Sequence, residues 1–351
     1  MRREQGRLWG LTLIVAGGCA IVGTSQAQEF CGIDDIFNNG FEAASFVPTT
    51  QLPGGVMSPG LTQDITGTGT LSVAITSPGS GATTGNSSVD VIGTYTGPVN
   101  TGIAVNGVSG YAVNGQFVVP NVPLSAGSNT LSVTATILPG TTATNSGSIT
   151  QSGAASAVTI QANHPADYAP ATITFTYAIG TLPSGNPVQT VTINFTGSGG
   201  PNFTGSSLTG APSIFTYPSP GIYTATLSVQ DTAANIYTGT VTIAVQDLAA
   251  QRGMMCDIYG YLKNRLNAQD APGAASTFQQ NVSSNYQSLF TAFGTNMPTV
   301  AQSLGVIVSG LLGQGFADML IVRDNTTNQT RSGFPLRMTQ GSDGVWRISE
   351  M

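Results

Sequence analysis

The sequence predicts a mainly β protein, with two tandem β-sandwiches followed by a smaller α+β domain. Between about Leu71 and Asp247, short runs of alternating apolar residues recur between turns rich in Gly, Pro, Asn and Ser. From Leu248 the apolar spacing becomes helical, and three strand-like runs then close the chain. Charged residues make up only 7% of the 351, against ~25% in an ordinary globular chain. Gly, Ser, Thr and Asn take their place, which suits turn-rich β structure. This length allows two or three domains, each able to bury a core.

Residues 1–27 read as an export signal. Arg2, Arg3 and Arg7 precede the apolar run LWGLTLIVAGGCAIVG, and Ser25-Gln26-Ala27 offers small residues at a cleavage site. Ala16-Gly17-Gly18-Cys19 supplies the alternative, a lipoprotein signal anchored at Cys19. The expected location is therefore extracellular, at the cell surface or periplasmic. No later stretch reads as a membrane span, since VAQSLGVIVSGLLGQGFADMLIV is interrupted by Gln302, Gln314 and Asp318. Residues 8–251 contain no Lys or Arg, which argues against a nucleic-acid partner. It argues equally against charge-driven docking on an anionic membrane. If the signal is removed, Cys31 and Cys256 are the only cysteines left. A disulfide between them and two separate thiols both remain open, because sequence does not supply the Cα separation.

Residues 28–68 form an acidic leader and linker. Its opening, FCGIDDIFNNGFE, holds Glu29, Asp34, Asp35 and Glu42 but lacks the oxygen spacing of a calcium loop. It resembles the D-x-I-F-x-x-G-F-E tag found near the termini of exported gammaproteobacterial proteins, which implies lineage and export rather than chemistry.

The first sandwich is placed at residues 69–153, on strand candidates such as LSVAIT, SVDVIGTY, GIAVNG, QFVVP and NTLSVTAT. Asn106-Gly107 and Asn114-Gly115 are strong hairpin signals. Short strands at this spacing point to an immunoglobulin-like sandwich. Ile75-Thr76-Ser77-Pro78, Val91-Ile92-Gly93, Val105-Asn106-Gly107 and the run from Leu124 to Ala135 resemble the glucodextranase domain B module. That resemblance implies a non-catalytic accessory module. The second sandwich is placed at residues 154–247. Its run from Phe215 to Val229, followed by Asp231 and Asn235, resembles the closing half of a polycystic-kidney-disease repeat. The family's W-x-F-G-D-G signature is replaced here by Ile193-Asn194-Phe195-Thr196-Gly197-Ser198-Gly199, which removes the basis for a calcium or polymer-contact role in that loop.

His164, the only histidine, sits in QANHPADYAP beside Asp167, and no serine-centred nucleophile motif accompanies it. One histidine and so few cysteines exclude a structural zinc site. Tyr95, Tyr111, Phe117, Tyr177 and Tyr223 can be read as a sugar-stacking face, but their positions on alternating strands beside Val and Ile favour the core. Neither sandwich contains a tryptophan.

Residues 248–351 are read as the α+β domain. LAAQRGMMCDIYGYLKNRLNAQD spaces Met255, Ile258, Leu262 and Leu266 as a helix, and Pro298 is expected to start another, PTVAQSLGVIVSGL. Strands are expected in FADMLIVRDN, SGFPLRMTQ and GVWRISEM. On the last of these, Trp346, Ile348 and Glu350 should face opposite to Val345, Arg347 and Ser349, with Trp346 and Ile348 inward. This order, with Phe334-Pro335-Leu336-Arg337-Met338 and the ending Asp343-Gly344-Val345-Trp346-Arg347-Ile348-Ser349-Glu350-Met351, resembles the cone-shaped domain of the nuclear transport factor 2-like superfamily. Some members of that superfamily are enzymes that use an Asp, His or Tyr inside the cone. Here the domain has no histidine, and Asp318 and Asp324 stand near the two ends of one strand. Tyr259, Tyr286, Arg337 and Trp346 are the candidate pocket residues. No catalytic residue, cofactor or metal site is expected. The reading is a non-catalytic exported binding, adhesion or structural protein, its sandwiches a stalk and its last domain the interaction surface. Its partner would be a protein or polysaccharide outside the cell. The alternatives are a carbohydrate-associated accessory protein and a small-molecule enzyme in the cone.

Overall fold

The computed structural model describes residues 65–67, 69–325 and 330–351. The expected export signal, most of the expected acidic leader, Cys19 and Cys31 lie outside these residues, as does the side chain of Asp324. The chain is mainly β, with two immunoglobulin-like sandwiches and a C-terminal α+β domain.

The first sandwich runs through β1 (Ser72–Ser77), β2 (Ala82–Thr84), β3 (Ser88–Thr96), β4 (Gly102–Val105), β5 (Val108–Ser109), β6 (Tyr111–Val113), β7 (Gln116–Pro123), β8 (Gly127–Thr136) and β9 (Thr142–Gln151). Its two sheets have strand orders β1-β3-β7-β6 and β2-β9-β8-β4-β5. Asn106 and Gly107 both take positive φ (50° and 82°), as do Asn114 and Gly115 (51° and 77°). Two left-handed residues make the turn whose twist matches the strands it joins, so these pairs close the β4–β5 and β6–β7 hairpins. Val91, Ile103, Phe117, Val119, Leu131 and Val133 fill the space between the sheets.

The second sandwich runs through β10 (Val158–Ala162), β11 (Ala166–Tyr168), β12 (Ala171–Ile179), β13 (Val188–Asn194), β14 (Phe203–Gly205), β15 (Ile214–Tyr217), β16 (Gly221–Asp231) and β17 (Ile236–Gln246). Its sheets have orders β10-β12-β15 and β11-β17-β16-β13-β14. A file of rings, Phe175, Phe195, Phe215, Tyr217 and Tyr223, runs through the core with successive centroids 4.7–4.9 Å apart. Phe117 is fully buried, while Tyr95, Tyr177 and Tyr223 pack partly buried against the cores of their own sandwiches. Tyr111 packs at the joint between the two sandwiches. These aromatics do not form a stacking face.

In the last domain α1 (Leu248–Asn267), α2 (Ala271–Ala275), α3 (Gln280–Phe293) and α4 (Met297–Ser303) precede an antiparallel meander. The strands are β18 (Val306–Gly313), β19 (Phe316–Asn325), β20 (Thr330–Gln340) and β21 (Trp346–Glu350), paired in chain order. The helix expected across PTVAQSLGVIVSGL ends at Ser303, and its second half is β18. Val306 and Ile307 pair with Val322 and Ile321 of β19. A short apolar run satisfies either period locally, and here the neighbouring strand decides. Ile65, expected in a linker, is fully enclosed in the core of this last domain with Met255, Ile258, Phe278, Met338 and Ile348.

The three modules are bonded to one another rather than strung out. Asp90 Oδ2 on β3 accepts from the Thr242 N–H on β17 (3.0 Å), and Val113 and Val118 pack on Ala166 and Ala244. The Tyr168 hydroxyl donates to the Gly313 carbonyl (3.3 Å). Asn100 grips the backbone of Trp346 twice, its Nδ2 donating to the carbonyl (3.1 Å) and its Oδ1 accepting from the N–H (2.9 Å). A stalk with a free terminal domain is therefore not what the chain builds. The hairpin end of the last domain is occupied by the first sandwich.

Candidate functional site

The four residues expected to line a pocket in the last domain do not converge. Tyr259 is buried, its hydroxyl donating to the Gly305 carbonyl (3.0 Å), and burial raises its pKa above the ordinary phenol range. Tyr286 stacks on Phe278 at 3.6 Å. Arg337 lies on the exposed sheet face, paired with Asp318 (2.6 Å) and Glu350 (3.0 Å). Trp346 is 5% exposed and part of the core. The space between helices and sheet holds packed apolar side chains.

The expected alternation of the last strand holds for Trp346 and Ile348 but not for its other face, because Val345 and Arg347 are buried as well. Sandwich one covers that side: a Cβ on Gly102 would lie 2.3 Å from the Val345 nitrogen. Arg347 is neutralised in place by a two-pronged pair with Asp343 (2.8 and 2.7 Å). Cys256 is disulfide-bonded, and Cys31, the candidate partner, lies outside the described residues.

A concave feature with room for a ligand is the cleft between the two sandwiches, ≈ 890 Å³ in volume. One wall is formed by β3 and β7, presenting Ser88, Asp90 and Asn121. The other is sandwich two, presenting Thr159, Thr238 and Thr240. Alternation puts these threonines outward, opposite the buried Val158, Ile160 and Ile243. Asp90 fixes the width, because its Oδ1 accepts from the Asn121 N–H (3.0 Å) while its Oδ2 reaches Thr242 across the cleft. The lining offers hydroxyls and amides, no cation, and one carboxylate whose oxygens are both engaged. A hydrogen-bonding ligand fits this chemistry, and an acid–base reaction does not.

No family model matches this chain. No curated protein matches it either. Solved structures resemble it over about half its length. The fibronectin(III)-like modules of Clostridium thermocellum CbhA align at 14% identity and TM-score 0.19, covering 50% of this chain and 95% of theirs. The Yersinia pseudotuberculosis adhesin InvE aligns at 16% and 0.17, covering 51% of this chain and 62% of its own. SGBP-B of the Bacteroides ovatus mixed-linkage glucan utilization locus, solved with a mixed-linkage heptasaccharide, aligns at 12% and 0.18, covering 50% and 45%. At such TM-scores the likeness carries no functional weight.

Two further polar clusters lie outside the cleft lining. His164 Nε2 lies 3.3 Å from Asp167 Oδ2 at a half-exposed loop. Asp231, at the end of β16, is fully enclosed. Burial works against its charge. It accepts from the side chains of Ser184 (2.6 Å), Asn186 (3.3 Å) and Asn235 (2.9 Å), and from the N–H groups of Ala233 (2.8 Å) and Asn235 (2.9 Å). Together these bonds hold its carboxyl well below the usual carboxylate range. A depressed carboxyl adds stability that is complete above the unfolded pKa of ~4 and is lost as pH falls through the lower folded value. The second sandwich should therefore melt at falling temperature below about pH 4. Asp231→Asn should melt lower at neutral pH and respond less to acid. Calorimetry of both proteins from neutral pH to strong acid checks this, and parallel acid curves would contradict it.

Proposed function

We propose that this protein is a non-catalytic, exported binding or structural protein, and that its binding surface is the cleft between the two sandwiches. The observation that carries this reading is Asp90, whose Oδ1 is fixed to its own wall at Asn121 while its Oδ2 holds the other wall at Thr242 beside an open, hydrogen-bonding cleft. A preorganised site loses little entropy on binding. The filled core of the last domain and the dispersal of Tyr259, Tyr286, Arg337 and Trp346 support a non-enzymatic role for that domain. Its docking onto sandwich one supports a bracing role. No helix among the described residues is long and apolar enough to cross a membrane.

The test is to fill the cleft. Thr240→Trp puts an indole on an exposed strand position facing the opposite wall. The purified protein is assayed against immobilised cell-surface polysaccharides and surface proteins. Thr240→Trp should abolish the binding seen with wild type, whereas Arg337→Ala, on the remote sheet face, should keep it. Undiminished binding by Thr240→Trp would rule out the cleft.

A further inference from the structure

The hydroxyls in the cleft belong to a larger lattice. On the outer face of β14, β13, β16 and β17, Thr204, Thr192, Ser228 and Thr238 stand directly opposite one another in a row. The next row is Asn194, Thr226 and Thr240, and the one after it is Thr224 with Thr242. Neighbouring strands are ~4.8 Å apart and same-face residues ~6.7 Å apart along a strand. Short hydrogen-bonding side chains therefore repeat in two directions, and Thr224, Thr238, Thr240 and Thr242 of that lattice line the cleft. Thr238 and Thr240 are exposed, and their hydroxyls have no protein partner among the described residues.

We infer that the cleft and the threonine rows leading into it bind a neutral polysaccharide. This rests on the cleft being the binding surface. A polymer of repeating hydroxyls matches a surface of repeating hydroxyls, each able to donate and accept. Charge selects the class. No Lys or Arg occurs in residues 8–251, so a polyanion finds no counter-charge on either sandwich. Asp90 is the one carboxylate of the lining and each of its oxygens already accepts a backbone N–H, so a cationic polymer finds no run of counter-charges along the cleft. The lining is also too polar for an apolar chain, which would strand these hydroxyls without partners.

Affinity gel electrophoresis with laminarin, hydroxyethylcellulose and polygalacturonate tests this. Wild type should be retarded by a neutral glucan, equally at low and high salt, and not by polygalacturonate. Thr238→Val/Thr240→Val, which keeps shape and removes two hydroxyls, should weaken that retardation about tenfold with an unchanged melting temperature. Equal retardation of wild type and double variant would overturn the site. Retardation by polygalacturonate alone would overturn the ligand class. If no neutral glucan binds while Thr240→Trp still abolishes attachment to another partner, the polysaccharide inference falls and the cleft reading stands.

Discussion

Replacing Trp346 by Ala is expected to lower the stability of the C-terminal domain by about 3–5 kcal/mol, as large-to-small changes at buried aromatics do. The indole is 5% exposed, within the cluster that includes Ile65, Phe278, Leu336 and Ile348. Its removal leaves a cavity that the flanking strand is held back from filling, because the Trp346 N–H and carbonyl are both bonded to Asn100. Trp346→Phe should cost less, since much of the volume remains. Urea denaturation followed by circular dichroism measures both. A midpoint for Trp346→Ala within error of wild type would mean the side chain is not part of the core.

Gly102→Ala is expected to separate the last domain from the first sandwich. The added Cβ would lie 2.3 Å from the Val345 nitrogen and 2.4 Å from the Asp343 carbonyl oxygen. These are backbone atoms of a tight turn and cannot rotate away. Gly344 holds that turn at φ 81°, and the Gly341 N–H donates to the Val345 carbonyl (2.9 Å). The turn must therefore back off as a unit, giving up both Asn100 bonds at about 1–3 kcal/mol together. Small-angle scattering should show a larger radius of gyration, and tryptophan emission should shift to the red. Superimposable scattering curves would show that the sandwich side can yield instead. Asn100→Ala should weaken the same joint without the clash, and so expand the molecule less.

The sequence carried the local devices well and the assembly poorly. The Asn-Gly hairpins, the alternation in both sandwiches and the long first helix were all legible, because each is decided within a few residues. The fate of Val306–Gly313 was not, since helix or strand there depends on Val322 and Ile321 across the meander. Trp346 was legible as an inward residue, but the burial of Val345 and Arg347 was not, because sandwich one closes over that side. The cleft was least visible of all. Its threonines could be read as outward-facing, but its existence depends on a bond between Asp90 and Thr242, 152 residues apart. No pattern within either module announces that contact.

The burial of Ile65 bears on the order of events during synthesis. The side chain emerges before either sandwich, yet its place is in a core made by the final hundred or so residues. Asn100 likewise waits for a partner 246 positions later. A chain made from its N-terminus can complete each sandwich as it appears. Ile65 and Asn100 stay unsatisfied until Trp346 has been added. Contacts of such long range are slow to close. The last domain is thus a closing step for the whole molecule, and a chain truncated shortly before Trp346 would keep two folded sandwiches whose earliest residues still lack their partners.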